Sequence, residues 1–252
     1  MPATHLAAPN PERQRGIGLI EFALVLVLVG VIAAMALQGA NAVEGFQQTR
    51  FVQKVRTLVS QLESFRASQG RWPGDCNRDG LIDQGLTDMG ALTAGSLDYA
   101  VAPQLAQASS ASASYSLGLV CPPVSLLPYG QINVPFNELK WAGQVPAGEP
   151  SRSTAAHGLG GFAFLGTFQT VAGSDYIEDK FNVMLLTQVP ISAARRLAVA
   201  IDGSDGSAAN RQRVRRTDDM VVFAPLWTAS GETEDKKITV LVFFDRIPPA
   251  GS

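Results

Sequence analysis

The run "IGLIEFALVLVLVGVIAAMAL", residues 17–37, constrains this chain more than any other feature. From Phe22 to Leu37 no side chain is polar, and extending the run back to Ile17 adds one exception, Glu21. As a helix rising 1.5 Å per residue, such a run is about 30 Å long, the thickness of a bilayer's hydrocarbon core. Arg13 and Arg15 precede it, so the positive-inside rule keeps the N-terminus cytoplasmic and places everything after about residue 40 on the far side.

Helical periodicity does not stop where the apolar run stops. Phe51, Val55, Leu58, Leu62 and Phe65 follow one another at spacings of 4, 3, 4 and 3, which draws one apolar stripe along a helix, widened by Val52 and Val59. Arg50, Lys54, Arg56, Glu63 and Arg66 fall mostly on the other side, Gly70 and Pro73 give a stop signal, and no proline interrupts residues 17–69. The pattern predicts one helix of about fifty residues, half lipid-embedded and half amphipathic. A secretory signal peptide is the competing reading, with a basic start, an apolar centre and a small-x-small end at Ala40-Asn41-Ala42. Under it residues 1–42 are removed. Against it stand the length of the run, the acidic residue near its start, and the periodicity that continues past Ala42.

"RGIGLIEFALVLVLVGVIAAM" resembles the leader junction and first helix of the type IV pilin and type II secretion pseudopilin superfamily. Its marks are a short basic leader ending in glycine, an apolar first mature residue, a glutamate at the fifth mature position and an unbroken apolar run. The resemblance implies a leader over 1–16 cleaved after Gly16, N-methylation of the new terminus at Ile17, and Glu21 as the assembly glutamate. It also implies a transmembrane half of the helix over 17–41, an amphipathic half over 42–70 and a globular head over 71–252. The family more often has Phe and Thr where this chain has Ile17 and Gly18, and many members carry a proline near Gln38 that is absent here. A carboxylate within lipid costs at least about 2.5 kcal/mol and is usually paired. In the family the partner is thought to be the terminal ammonium of a neighbouring subunit; a Glu21 that merely reaches interfacial water is the alternative.

Beyond the helix, "RWPGDCNRDGLIDQG" is dense in turn formers. Asp75, Asn77, Asp79, Gly80 and Asp83 match positions 1, 3, 5, 6 and 9 of a calcium-binding loop, while position 12, where a bidentate Glu belongs, is Leu86. Asx side chains capping their own backbone are the competing explanation. The two cysteines, Cys76 and Cys121, form no CxxC, and with only His5 and His157 they cannot complete a Cys/His zinc site. In an exported chain they read as one disulfide, stabilising by at most about 4 kcal/mol on the loop-entropy model; in a cytosolic chain they are free thiols.

Residues 88–160 are poor in charge and rich in Ala, Ser, Gly and Pro, as in "QASSASASYS" (107–116), and read as a surface excursion inserted between helix and sheet. Within it, "FNELKWAGQVP" (136–146) suits a helical turn that packs Leu139 and Trp141 on the core. Four runs read as strands: 161–168, 181–189, 220–227 and 238–245. Between the second and third, Pro190 opens a short helix carrying Ile191, Ala194, Leu197 and Ile201, and Gly203 ends it. "IDGSDG" offers Asp202 and Asp205 as a cation pair or as a polar turn, the turn being the simpler reading. "RQRVRR" (211–216), the one strong basic run, reads as a solvated loop or edge strand.

The expected fold is therefore α+β, pilin-like, with the Phe51-to-Phe65 stripe laid on a mainly antiparallel sheet. A net charge of −2 argues against nucleic-acid binding. "HGLGGF" (157–162) has no GxSxG elbow to serve as an oxyanion loop, and no nucleophile–base set, metal quartet or phosphate loop points to an enzyme. The resemblance implies a minor pilin or pseudopilin of a type IV pilus or type II secretion filament. It would be single-pass in a bacterial inner membrane with a periplasmic head, and its partners would be prepilin peptidase, sibling subunits and the assembly platform. No cofactor is required on this reading, with calcium as an optional ligand. The alternative is a membrane-anchored or exported periplasmic binding module, calcium-dependent through the 75–83 loop.

Overall fold

A computed structural model describes residues 18–86, 92, 97, 121, 133–146, 149–169, 179–206, 208–219 and 222–248. The side chains of 36–41, and the serine-rich 107–116 stretch, lie outside the described residues. Helix α1 (Leu19–Gln69) begins the chain's described structure. Its chain divides into two compact units, one ending at Gly45 and the other comprising Phe46–Ser252.

In the first unit the helix has apolar residues on every side. The large ones from Leu19 to Met35 are 48–88% exposed. This described apolar stretch is 17 residues long, about 25 Å of helix, and among the described residues no helix is long and apolar enough to cross a membrane.

In the second unit the amphipathic reading holds residue by residue. Phe51, Val55, Leu58, Leu62 and Phe65 are at most 1% exposed and share one core with the sheet, while Val52 and Val59 pack at its margin. Gly70, at φ 71°, closes the helix by donating its N–H to the Arg66 carbonyl, a left-handed position that a residue with a Cβ resists.

The sheet has four antiparallel strands in the order β1-β2-β4-β3: β1 (Ala163–Gln169), β2 (Lys180–Pro190), β3 (Val214–Thr217) and β4 (Lys237–Phe243). Phe164 pairs with Leu185 and Leu185 with Leu241, so three apolar strands lie side by side. Successive residues of a strand face opposite ways, and residues 163–168 and 181–186 are buried without a break; both faces of β1 and β2 are therefore covered. The register of β2 against β4 shifts between Leu186 and Val189, where Gln188 adopts φ 57°. Helix α4 (Ile191–Asp202) follows at once; Pro190 stands at its N-cap rather than inside its first turn, and Gly203 at φ 83° ends it. Ile191, Ala194 and Leu197 are buried and Ile201 is half-buried, as the spacing predicts.

Several expectations need correction. The 220–227 run is not a strand: of its described residues, Phe223 and Leu226 form only isolated bridges, to Thr217 and Ala208, and Pro225 has no N–H to give a ladder. Phe223 instead caps an aromatic group with Phe168, Phe181 and Phe243, at centroid separations of 5.2–6.4 Å. The ladder position goes to Val214–Thr217, and its arginines are not solvated. Arg215 and Arg216 are buried; Arg215 lies over the rings of Phe223 and Phe243, at 4.8 and 5.3 Å from their centroids. It is an edge strand, as one of the sequence readings has it, but with buried charge.

The surface-excursion reading fails over 133–140. Helix α2 (Val134–Trp141) is buried from Val134 to Lys140, and α3 (Ser151–Ala155) follows it. Leu139 joins the core as expected, whereas Trp141 is 49% exposed.

Candidate functional site

Gly16 and Ile17, the expected cleavage and methylation positions, lie outside the described residues. Glu21 sits in the first turn of α1 and its Oε2 accepts the Gly18 N–H at 3.2 Å. With Gly18 before the helix and Glu21 three residues on, this is one half of a capping box. Glu21 therefore has a local role in starting the helix, which sequence reasoning did not anticipate.

The second candidate is the loop after α1. Asp75, Asn77, Asp79 and Asp83 lie in one tight loop, which the Cys76–Cys121 disulfide ties to the chain 45 residues on. Asp75 Oδ2 accepts the Gly80 N–H at 3.1 Å, Asn77 Oδ1 that of Asp79 at 2.9 Å, Asp79 Oδ1 that of Leu81 at 2.8 Å, and Asp83 Oδ2 that of Cys76 at 2.8 Å. These are the Asx caps of a tight turn. Gly80, at φ 88°, stands where the calcium-loop pattern wants its glycine. Burial pushes the Asp75 carboxyl above its ordinary range, and the neighbouring Asp79 and Asp83 charges add to the effect; burial raises Asp83 likewise. Among the described residues, no three His, Cys, Asp or Glu side chains are already drawn together as a metal cage.

What anchors this loop was not legible in the sequence. Glu138 of α2 is 1% exposed. It accepts Arg71 through both oxygens at 2.6 Å, the Gly74 N–H at 2.7 Å and the Cys121 N–H at 3.1 Å. Arg71 also donates to the Trp72 carbonyl at 3.1 Å. Gly74, at φ 84°, lies so close to α2 that an added Cβ would come within 2.8 Å of Pro135. The only sequence sign was a glutamate at a position that the helical pattern buries, which implies a cation nearby without naming it.

The remaining candidates resolve into structural roles. Asp202 accepts the N–H groups of Arg213 and Val214, both at 3.1 Å, and Asp205 pairs with Arg195 at 2.7 Å, so "IDGSDG" is a polar turn tied to neighbouring elements. His157 is buried against Phe51, with ring centroids 5.0 Å apart, and its Nε2 donates to the Thr187 carbonyl at 2.9 Å. Burial, aided by the charge of Lys237 and opposed by that hydrogen bond, pushes its pKa down to about 4. An unfolded histidine titrates near 6.5. Below that value the unfolded chain takes up a proton that the native state refuses, so stability is full above about pH 6.5 and falls as pH drops towards 4. Urea unfolding is expected to show a loss of about 2 kcal/mol between pH 7 and pH 5, and His157→Gln should remove most of that slope; a native protein equally stable at both values would overturn the assignment.

No family model, curated protein or solved structure matches the chain.

Proposed function

We propose that the protein is a membrane-anchored structural subunit, minor pilin-like or pseudopilin-like, of a type IV pilus or type II secretion filament. It is cut after Gly16, methylated on Ile17 and assembled through its apolar helix. The observation that carries this reading is the Leu19–Met35 stretch of α1. Apolar side chains ring the helix and its large ones are all exposed, with Glu21 the one charge among them. A soluble monomer rarely leaves so much contiguous apolar surface bare, whereas a bilayer, and then a bundle of sibling helices, would cover it. The sequence extends the same character to Leu37, enough to complete a span. The disulfide supports an oxidising compartment for the head. Prepilin peptidase, sibling subunits and the inner-membrane assembly platform are the partners that this reading requires.

Mass spectrometry of the processed protein should find a methylated Ile17 terminus; a terminus at Val43 would establish the signal-peptide alternative instead. The capping contact of Glu21 makes the choice of variant decisive. Glu21→Gln keeps an oxygen for the Gly18 N–H but abolishes the charge. If Glu21 pairs with a neighbour's ammonium, Glu21→Gln and Glu21→Ala should both reduce filament incorporation by about tenfold or more while leaving cleavage intact. Normal incorporation of Glu21→Gln would reduce Glu21 to a helix cap.

A further inference from the structure

The loop after α1 contains a feature that turn-capping does not account for. Asp75 is 1% exposed. Its Oδ2 is held by the Gly80 N–H, but its Oδ1, fully buried, has no hydrogen-bond partner among the described residues. A buried carboxylate oxygen without a donor costs more than most folds tolerate. The obvious local cation does not relieve it: the guanidinium of Arg71 is committed to Glu138 through both of its terminal nitrogens, and its contact with Asp75 is to the backbone carbonyl at 3.4 Å. The carboxylates of Asp79 and Asp83 are close enough to act on Asp75 electrostatically. Three carboxylates thus share one turn, in which the N–H groups of Cys76, Gly80 and Leu81 each hold a single carboxylate oxygen.

We propose that the Asp75–Asp83 loop is a calcium site, with Asp75 Oδ1, Asn77, Asp79, the Leu81 carbonyl and Asp83 as its oxygen donors. These occupy positions 1, 3, 5, 7 and 9 of the calcium-loop order. The backbone agrees with that order: Gly80 at the sixth position, and Arg78 at the fourth, both have positive φ, 88° and 62°. Ile82, the eighth residue, is buried, and its N–H is tied to Asn182 Oδ1 at 2.8 Å. That contact fixes the far end of the loop to β2, while the disulfide at Cys76 fixes the near end. The all-oxygen donor set suits a hard cation, and its irregularity disfavours magnesium, which demands near-octahedral geometry. Leu86 replaces the bidentate glutamate and the carboxylates are not preassembled, so the site belongs to the weak class, with Kd about 10⁻⁴–10⁻³ M, suited to extracellular calcium. This inference stands independently of the filament reading.

The test uses the full chain in a non-ionic detergent, stripped with EDTA and melted with and without calcium. At ten times Kd, calcium is expected to raise Tm by about 3–6 °C, with magnesium at the same concentration giving a clearly smaller rise. Asp79→Asn is the informative variant, because Asp79 is exposed and asparagine still accepts the Leu81 N–H; it should melt like the parent in EDTA and lose the calcium increment. Asp75→Asn should lose it as well. No increment in the parent at 10 mM calcium overturns the proposal and leaves the loop as a turn held by its Asx caps alone. An increment that survives in Asp79→Asn also overturns it, by placing the ion elsewhere.

Discussion

Glu138→Ala is expected to destabilise the second unit by about 3–5 kcal/mol, the cost of breaking a buried ion pair by removing one partner. The substitution strips Arg71 of a two-pronged acceptor in a place where only 13% of the arginine side chain reaches water. It also orphans the Gly74 and Cys121 N–H groups. Urea denaturation followed by circular dichroism measures it directly. A double variant, Arg71→Met with Glu138→Leu, separates the two contributions. If the ion pair were all that mattered, an apolar replacement of both partners would recover most of the loss. Because two backbone donors also depend on Glu138, recovery is expected to be incomplete, with about 1–3 kcal/mol still missing. A loss below about 1 kcal/mol in Glu138→Ala would mean that the disulfide and the Asn182 contact anchor the loop without help from the buried ion pair.

Arg216→Ala should be comparably damaging, again about 3–5 kcal/mol by the same reasoning. All five guanidinium donors of Arg216 are used. Nε and Nη2 bond the two oxygens of Asp218 at 3.0 Å each. Nη1 and Nη2 bond Glu232 at 2.6 and 2.9 Å, and Nη1 also bonds the Trp227 carbonyl at 2.6 Å. Its hydrogen bonds to Glu232 hold that carboxyl well below the usual range, with help from Lys236. The contribution of Glu232 is therefore present above its unfolded pKa and lost as pH falls through the depressed folded one. Arg216→Lys separates charge from geometry: an ammonium is a point charge with three donors, so lysine should rescue little. Stability of Arg216→Lys close to that of the parent would show that charge alone suffices.

These two arginine sites also mark where sequence reasoning ended. The amphipathic helix, strands β1, β2 and β4, and α4 were legible because each announces itself locally. Phe51 to Phe65 repeats at helical spacing, 183–186 is one apolar run, and Gly70 and Gly203 stand at positions that demand positive φ. β3 was not legible. A strand of Val-Arg-Arg-Thr looks polar and exposed until Glu232 and the rings of Phe223 and Phe243 arrive from later in the chain, beside the adjacent Asp218, to enclose its arginines. Conversely, the 220–227 run has strand composition, yet Phe223 packs on Phe168 and Phe243, and Pro225 has no N–H to give a ladder. The 75–83 loop shows both sides: its spacing singled out Asp75, Asn77, Asp79 and Asp83, and only burial identified Asp75 Oδ1 as the atom left without a partner.

The sequence by itself determined the helical and strand periodicities, the α+β class and the apolar N-terminal run with its single carboxylate, because these depend on residues within a few positions of one another. Tertiary structure decided which charges are buried, that the two cysteines meet, and that Glu138 secures the loop after α1. Those outcomes depend on pairings well beyond local range, 67 residues for Arg71 with Glu138 and 16 for Arg216 with Glu232, and a buried charge is tolerable only when its partner arrives in the right place.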